Sequence, residues 1–309
     1  MASKSKILII GGTGHLGTWI TKASVALQHP TFLLVRPSTL AARPDLASSL
    51  HSIGVNILQG SLEDKSSIID AVEHADIVIS AVKMGEHIVG QLNIVEAIKQ
   101  AGCNQRFVPS EFGVDVNSPR GLAASEGLQK MVFDDKRRVR QAIEAAGVPF
   151  TILCGFMFAE IFAKTLGQPV QWTSPPTDKV LIYGDGHTKG SYMCVEDIGR
   201  FIIKAADNPR TLNKVVYLRF PKNILSQLEL VALWEAKYGK EIEKIHVSER
   251  DVLDMINENP FMAMKHAVYM QGATSILDQE SNHVEASDLY PLEKYTSIEE
   301  YFEQFIKTS

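Results

Sequence analysis

The chain has 309 residues, a formal charge of −5, 45% hydrophobic residues and 22% charged residues. That length supports a sizeable core in one or two domains without covalent staples, and the mild acidity argues against a partner held through phosphate charge, whether nucleic acid or anionic membrane. The three cysteines, Cys103, Cys154 and Cys194, are odd in number and widely spaced, so neither a disulfide framework nor a metal site is expected and free thiols in a reducing compartment are.

The first half alternates apolar runs with helical patterns. Strands are predicted at Ile7 to Ile10, Thr31 to Val35, Val55 to Leu58, Ile77 to Ile79, Arg106 to Val108 and Phe150 to Leu153. Helical patterns separate them at about 16–27, 45–52, 65–73, 86–101 and 126–146. Near-continuous apolar strands alternating with helices predict an α/β fold, a Rossmann-type doubly wound parallel sheet covered on both faces. The second half is less regular. Strands are expected at Val180 to Tyr183, Ser191 to Cys194 and Val215 to Leu218, and helices at about 195–206, 225–238, 248–258, 261–271 and 297–306. The organisation expected is a cofactor domain over 1–155 and a smaller C-terminal substrate lobe over 156–309, interleaved with the last strands. No apolar stretch reaches the roughly eighteen residues of a membrane span. The N-terminal segment lacks a signal-peptide pattern, so a cytoplasmic protein is expected.

Between the first strand and the first helix stands Gly11-Gly12-Thr13-Gly14-His15-Leu16-Gly17. Glycines are needed here because the turn takes unusual backbone angles and a pyrophosphate must approach the backbone at a helix N-terminus. Strand before, helix after and a second strand downstream give this motif the context of a dinucleotide site. The second strand ends in Val35-Arg36-Pro37-Ser38. An NAD enzyme carries a carboxylate there for the ribose hydroxyl; Arg36 instead suits a 2′-phosphate by bidentate, charge-assisted contact, which points to NADPH.

A Tyr-x-x-x-Lys pair would supply a proton in many dehydrogenases. Its only occurrence, Tyr290 with Lys294, has Pro291 inside the spacing and is rejected. The helix before the sixth strand carries Lys136, which shares a face with Val132, Val139 and Ile143. Two readings stand on spacing alone: a general base made less basic by desolvation and by neighbouring Arg140, or a lysine snorkelling from the edge of a core-facing helix.

Several segments together resemble one family. They are the glycine motif, Arg106-Phe107-Val108-Pro109-Ser110-Glu111-Phe112-Gly113, Lys136 in its helix, Tyr183-Gly184-Asp185-Gly186, the run from Asp207 to Lys214, and Val284-Glu285-Ala286-Ser287-Asp288-Leu289-Tyr290-Pro291. Over essentially the whole chain they resemble the plant isoflavone reductase-like family of atypical short-chain dehydrogenases. The resemblance implies an NADPH-dependent reductase of phenylpropanoid-derived compounds, acting by reductive cleavage of a benzylic ether in a lignan or neolignan. It implies Lys136 as catalytic base, Arg36 on the 2′-phosphate and Phe158 beside the nicotinamide. It places His266 at a position where several members contact substrate, although a half-buried helical histidine is an equal reading, and it makes Ser110 and Glu111 structural or cofactor-shell groups. Phe156 and Met157 depart from the family's usual Asn-Cys. Met84 and His87, after the fourth strand, lie where the substrate edge is expected, although a plain loop entering a helix is an equal reading. A small phenolic substrate and a homodimer are implied. Two rivals remain: an isoflavone or eugenol-synthase-like reductase using the same residues, and a non-enzymatic NADP(H) sensor, against which an intact Lys136 argues.

Overall fold

The computed structural model describes residues 4–83, 86–123, 127–168, 174–259, 262–275 and 283–306. The chain forms two compact units. One comprises Met1–Glu111, Asp134–Leu153 and Ile198–Val216, and the other Phe112–Phe133, Cys154–Asp197 and Tyr217–Ser309.

The elements follow in order: β1 Ile7–Ile10, α1 His15–Ala26, β2 Thr31–Val35, α2 Pro37–Ala42, α3 Leu46–Ser52, β3 Val55–Gln59, α4 Lys65–Val72, β4 Ile77–Ser80, α5 Glu86–Gln100, β5 Arg106–Val108, α6 Pro119–Ala123, α7 Gly127–Ala146 and β6 Thr151–Cys154. Then come β7 Met157–Phe158, β8 Lys179–Tyr183, β9 Lys189–Met193, α8 Val195–Asp207, β10 Lys214–Tyr217, β11 Ile224–Ser226, α9 Gln227–Tyr238, β12 Glu243–Val247, α10 Glu249–Glu258, α11 Met262–Lys265, β13 His283–Glu285, α12 Ala286–Leu289 and α13 Ile298–Ile306.

In the first unit five strands form a parallel sheet in the order β3-β2-β1-β4-β5. A parallel bridge from Phe107 to Phe150 carries the sheet toward β6, which is hydrogen-bonded to β10. Every residue of β1 and β4 is buried, as a sheet covered on both faces requires. On one face Leu8, Ile10, Val78 and Phe107 pack with Ile68 of α4, Ile94 and Ile98 of α5, and Val139 and Ile143 of α7. Each such side chain contributes about 1.5–3 kcal/mol on burial, and Phe107→Ala would cost about 3–5 kcal/mol. On the other, α8 lies so close to α1 that a side chain at Gly199 would run into the backbone of Trp19 and Ile20. The Asp64 carboxylate caps α4 by accepting from the Ser66 and Ser67 backbone N–H groups.

The second unit is built from small sheets and helices. Its strands β7 and β11 flank β9, the first parallel and the second antiparallel, while β8 and β12 form a parallel pair. Tyr183, Tyr192, Trp234, Tyr301 and Phe302 fill its core. Capping boxes start α9 at Ser226 and α10 at Ser248. The continuous helix expected over 261–271 is instead α11 followed by a π-helical turn, His266–Met270, closed by the Gln271 N–H on the His266 carbonyl. A π-turn keeps the helical side-chain pattern and changes only the hydrogen-bond register, so periodicity does not distinguish the two. The segment from Tyr290 to Lys294 is not helical, because α12 stops at Leu289 ahead of Pro291. Among the described residues no helix is long and apolar enough to cross a membrane, and none of their His, Cys, Asp and Glu side chains cluster as a metal site. Cys154 and Cys194 are buried, and burial pushes the Cys194 thiol well up.

Candidate active site

The first unit concentrates its unusual groups at the carboxyl ends of its strands. The sheet order reverses between β1 and β4, and α/β sheets hold ligands outside such a switch point. The glycine motif leaves β1 at this edge. Gly11 has φ +84°, and a side chain on it would collide with the Ala81 carbonyl that follows β4. Gly17, inside the first turn of α1, leaves no room for a Cβ against the Gly11 carbonyl. These two positions pack strand, turn and helix tightly together. Gly14 is the N-cap of α1 and supplies no side-chain acceptor, and the first turn holds no acidic residue. The leading N–H groups of the helix are therefore left for an anion. Thr13, Gly14, His15 and Leu16 line this opening at least partly exposed to solvent.

Arg36 follows β2, whose register with β1 sets Leu34 beside Ile10. Its side chain is exposed. The Glu63 carboxyl is held below its usual value mainly by Ser61 and its own backbone N–H, with smaller contributions from His87 and Arg36. Arg36, Glu63 and His87 thus share one electrostatic neighbourhood. Met84 lies outside the described residues; His87, on α5, is half-buried.

After β5 the chain is pinned on every side. The Ser110 N–H donates to Gln91 Oε1 at 2.7 Å, and its hydroxyl donates to the Val82 carbonyl at 2.9 Å. Lys136 Nζ donates to the Glu111 carbonyl at 2.6 Å, and Lys136 is only 7% exposed. Glu111 and Arg140 form a buried bidentate pair, Nε to Oε1 at 3.1 Å and Nη2 to Oε2 at 3.0 Å. That pair changes what the sequence suggests about Lys136: the Arg140 charge is answered by Glu111 and does not stand as an uncompensated cation beside the lysine. Glu111, expected to be a structural or cofactor-shell group, holds Arg140 through its carboxylate and Lys136 through its carbonyl. A buried acid in the segment after β5 signals a counter-charge, but which arginine answers it is set by the fold.

In the second unit, Phe158 is half-buried at the end of β7. Its carbonyl accepts from the Ile161 and Phe162 N–H groups, forming a turn. The Phe162 ring meets Tyr269 of the π-turn at 6.5 Å between centroids, so Phe158 and His266 belong to connected segments. The Lys265 amine lies over the Phe162 ring at 4.9 Å, without a hydrogen-bond partner among the described residues, and desolvation lowers it to about 7. His266 is buried, with Nε2 at 2.9 Å from Glu249 Oε1. Phe156 adopts φ +55°; its ring meets the edge of Tyr217 at 5.2 Å and lies under the Arg219 guanidinium. Arg219 in turn pairs with Glu285.

The same architecture recurs in known proteins. A model of the NmrA-like family matches residues 3–302. A phenylcoumaran benzylic ether reductase of Ginkgo biloba is 46% identical over 311 residues, covering 98% of this chain and 99% of that protein. A solved structure from a study of pinoresinol-lariciresinol and phenylcoumaran benzylic ether reductases superposes with a TM-score of 0.92 at 38% identity, covering 98% of this chain and all of its own. A pinoresinol-reductase structure with NADP+ and (+)-pinoresinol superposes with a TM-score of 0.91 at 36% identity, covering 99% and 100%.

Proposed function

Because the chain belongs to the NmrA-like family, we propose that it reduces a lignan or neolignan by cleaving a benzylic ether para to a free phenol, with Lys136 as general base. It is an NADPH-dependent oxidoreductase. The residues fit that cofactor. The strand–turn–helix cradle at Gly11 and Gly17 has no space for side chains, and the uncapped start of α1 offers N–H groups for a pyrophosphate. Exposed Arg36, after β2 where a carboxylate would reject a 2′-phosphate, offers a fork of donors for it. Phe158 would flank the nicotinamide. When bound, NADPH supplies a hydride to the benzylic carbon of the substrate.

The protein's own part is proton handling and orientation. A neutral phenol donates electrons poorly, so Lys136 takes the phenolic proton. The ring then pushes electrons to the para position, the benzylic C–O bond breaks with its electron pair leaving on oxygen, and the substrate becomes a quinone methide. After reduction the phenolate regains a proton from Lys136, and the released oxygen takes one from solvent. Supporting this reading is the Lys136 amine tied to the Glu111 carbonyl at 2.6 Å in a buried setting. The anchored lysine keeps one orientation, and that orientation is itself held because Arg140 clamps Glu111. His87 and His266 would contact substrate.

The test is NADPH oxidation by the purified chain with a phenylcoumaran dimer, pinoresinol, lariciresinol, an isoflavone and a coniferyl ester, each repeated with NADH. The reading expects turnover of a benzylic ether bearing a free para hydroxyl, with NADPH preferred. Turnover of the isoflavone or ester alone would replace it, and tight NADPH binding without turnover of any compound would favour a sensor.

A further inference from the structure

The π-turn His266–Met270 is tied down at its far end, while the helix before it carries a group that its surroundings leave unanswered. Arg120 Nη1, from α6, donates to the Gln271 and Gly272 carbonyls at 3.2 and 3.1 Å. The Gln271 and Ala273 N–H groups donate back to the His266 and Ala267 carbonyls at 3.0 and 2.8 Å. The preceding helix α11 is by contrast a single turn of four residues, Met262–Lys265, and packs mainly on α10 and on the π-turn. Its last residue, Lys265, is only 3% exposed.

The Lys265 amine lies 4.9 Å from the centre of the Phe162 ring and 5.8 Å from that of Tyr269. It has no hydrogen-bond partner among the described residues, and none of their carboxylates comes within ion-pair range. The charged side chains of α10 are exposed, and Glu249 among them is engaged with His266 Nε2 at 2.9 Å. Strands β8 and β9 bring Tyr183 and Tyr192, and the turn brings Tyr269. Burial pushes the Tyr183 phenol up to about 12 and raises the other two as well, so none is an anion that could face the amine. On the segment of Phe162, the Glu160 carboxylate accepts from the Val195 N–H. Ring faces attract a cation, but a desolvated ammonium loses more on leaving water than two rings return. The site therefore suits a neutral amine and not an ammonium. A one-turn helix with few packed neighbours opens at less cost than the unit that holds it.

We propose that α11 is a proton-sensitive flap: when the Lys265 amine takes up a proton, this one-turn helix opens to carry the ammonium to water, while the π-turn behind it stays tied by Arg120. The proposal stands independently of the function proposed above.

The direction of the response follows from linkage. A lysine in water titrates near 10.5, and desolvation holds the buried amine at about 7. Between those values the open form binds a proton that the closed form refuses, so each unit of falling pH favours opening by about tenfold. Below about pH 7 both forms hold the proton and the response levels off. The neighbouring imidazole acts with the opposite sign, because a charged His266 would be drawn to Glu249 and would tighten the turn.

Hydrogen exchange of the full chain, read by mass spectrometry at several pH values from about 7 to 9 and divided by the intrinsic exchange rate, tests the flap. Opening of the α11 segment should fall about tenfold per unit of rising pH. Lys265→Met should remove that slope, whereas His266→Gln should keep it. Arg120→Gln should speed exchange of the π-turn about equally at every pH. A parent without the slope, a slope that survives in Lys265→Met, or one that vanishes in His266→Gln overturns the proposal. So does exchange in β8 and β9 as fast as in α11 and with the same slope, which would mean that the unit opens as a whole. Carbon-13 spectra of the lysine-labelled parent supply a reading that needs no variant: the Lys265 Cε signal should titrate well below those of the exposed lysines, and titration together with them overturns the proposal.

Discussion

The buried pair between Glu111 and Arg140 offers a sharp quantitative test, because both side chains are almost wholly withdrawn from water, 1% and 5% exposed. Glu111→Gln keeps the shape and one acceptor but removes the charge that answers the guanidinium. Breaking a buried ion pair on one side costs about 3–5 kcal/mol, because the remaining charge stays desolvated and uncompensated. At roughly 2 cal/mol/K of unfolding entropy per residue, a loss of about 4 kcal/mol over a chain of this length lowers the melting midpoint by about 6 °C. Arg140→Met should cost a similar amount by stranding the carboxylate. The double variant Glu111→Gln, Arg140→Met should lose clearly less than the two single losses added together, since no charge is then left buried. The assay is urea and thermal unfolding of all four proteins followed by circular dichroism. Single losses below about 1 kcal/mol, or strict additivity in the double variant, would refute the description of this pair as a tightly coupled anchor for the Lys136 segment.

Other consequences are equally measurable. Arg36→Ala should weaken NADPH binding by about ten- to a hundredfold and leave NADH binding nearly unchanged, measured by nicotinamide fluorescence; equal losses for both would remove Arg36 from the 2′-phosphate. Glu63→Gln should tighten NADPH binding by up to about twofold at low salt, and salt should erase the gain, because an exposed carboxylate near Arg36 competes weakly with an incoming phosphate. Lys265→Met should stabilise the protein at neutral pH. The Lys265 amine is lowered to about 7 by desolvation, so between about 7 and 10.5 the unfolded chain binds a proton that the folded one releases. The penalty is complete at and below pH 7 and fades as pH rises toward 10.5. The advantage of methionine should therefore shrink by about 1.4 kcal/mol per pH unit at most across that window, and an advantage constant with pH would contradict an origin in the buried charge.

Much of the first unit is legible in the sequence. Its strands are short apolar runs buried on both faces, so composition and spacing suffice, and β1, β2, β4 and β5 fall where the pattern puts them. The glycine motif is legible because its requirement is backbone space, which only glycine meets. Less of the second unit can be read. The strand Glu243–Val247 opens on two consecutive charged residues, carries a histidine and is mostly exposed, so it resembles a polar connection. The π-turn at His266 differs from a helix only in hydrogen-bond register. Phe156 adopts a left-handed conformation that sequence rules reserve for Gly or Asn, at a cost of order 1 kcal/mol; the Tyr217 and Arg219 contacts that hold it there are long-range. The same holds for the link from Arg140 through Glu111 to Lys136 and for Glu249 on His266: each residue type is visible, and each partner is chosen by the fold.

The central claim is that Lys136 takes the proton from a free phenol. The decisive measurement compares single-turnover NADPH oxidation by the parent and by Lys136→Met, using one phenylcoumaran dimer and its phenolic methyl ether, with NADPH affinity measured in parallel. The expected result is a rate loss of about 10²- to 10⁴-fold in the variant with the free phenol, unchanged NADPH affinity, and no turnover of the methyl ether by either protein. A variant that reduces the free phenol at near-parental rate, or a parent that reduces the methyl ether as readily, would contradict it.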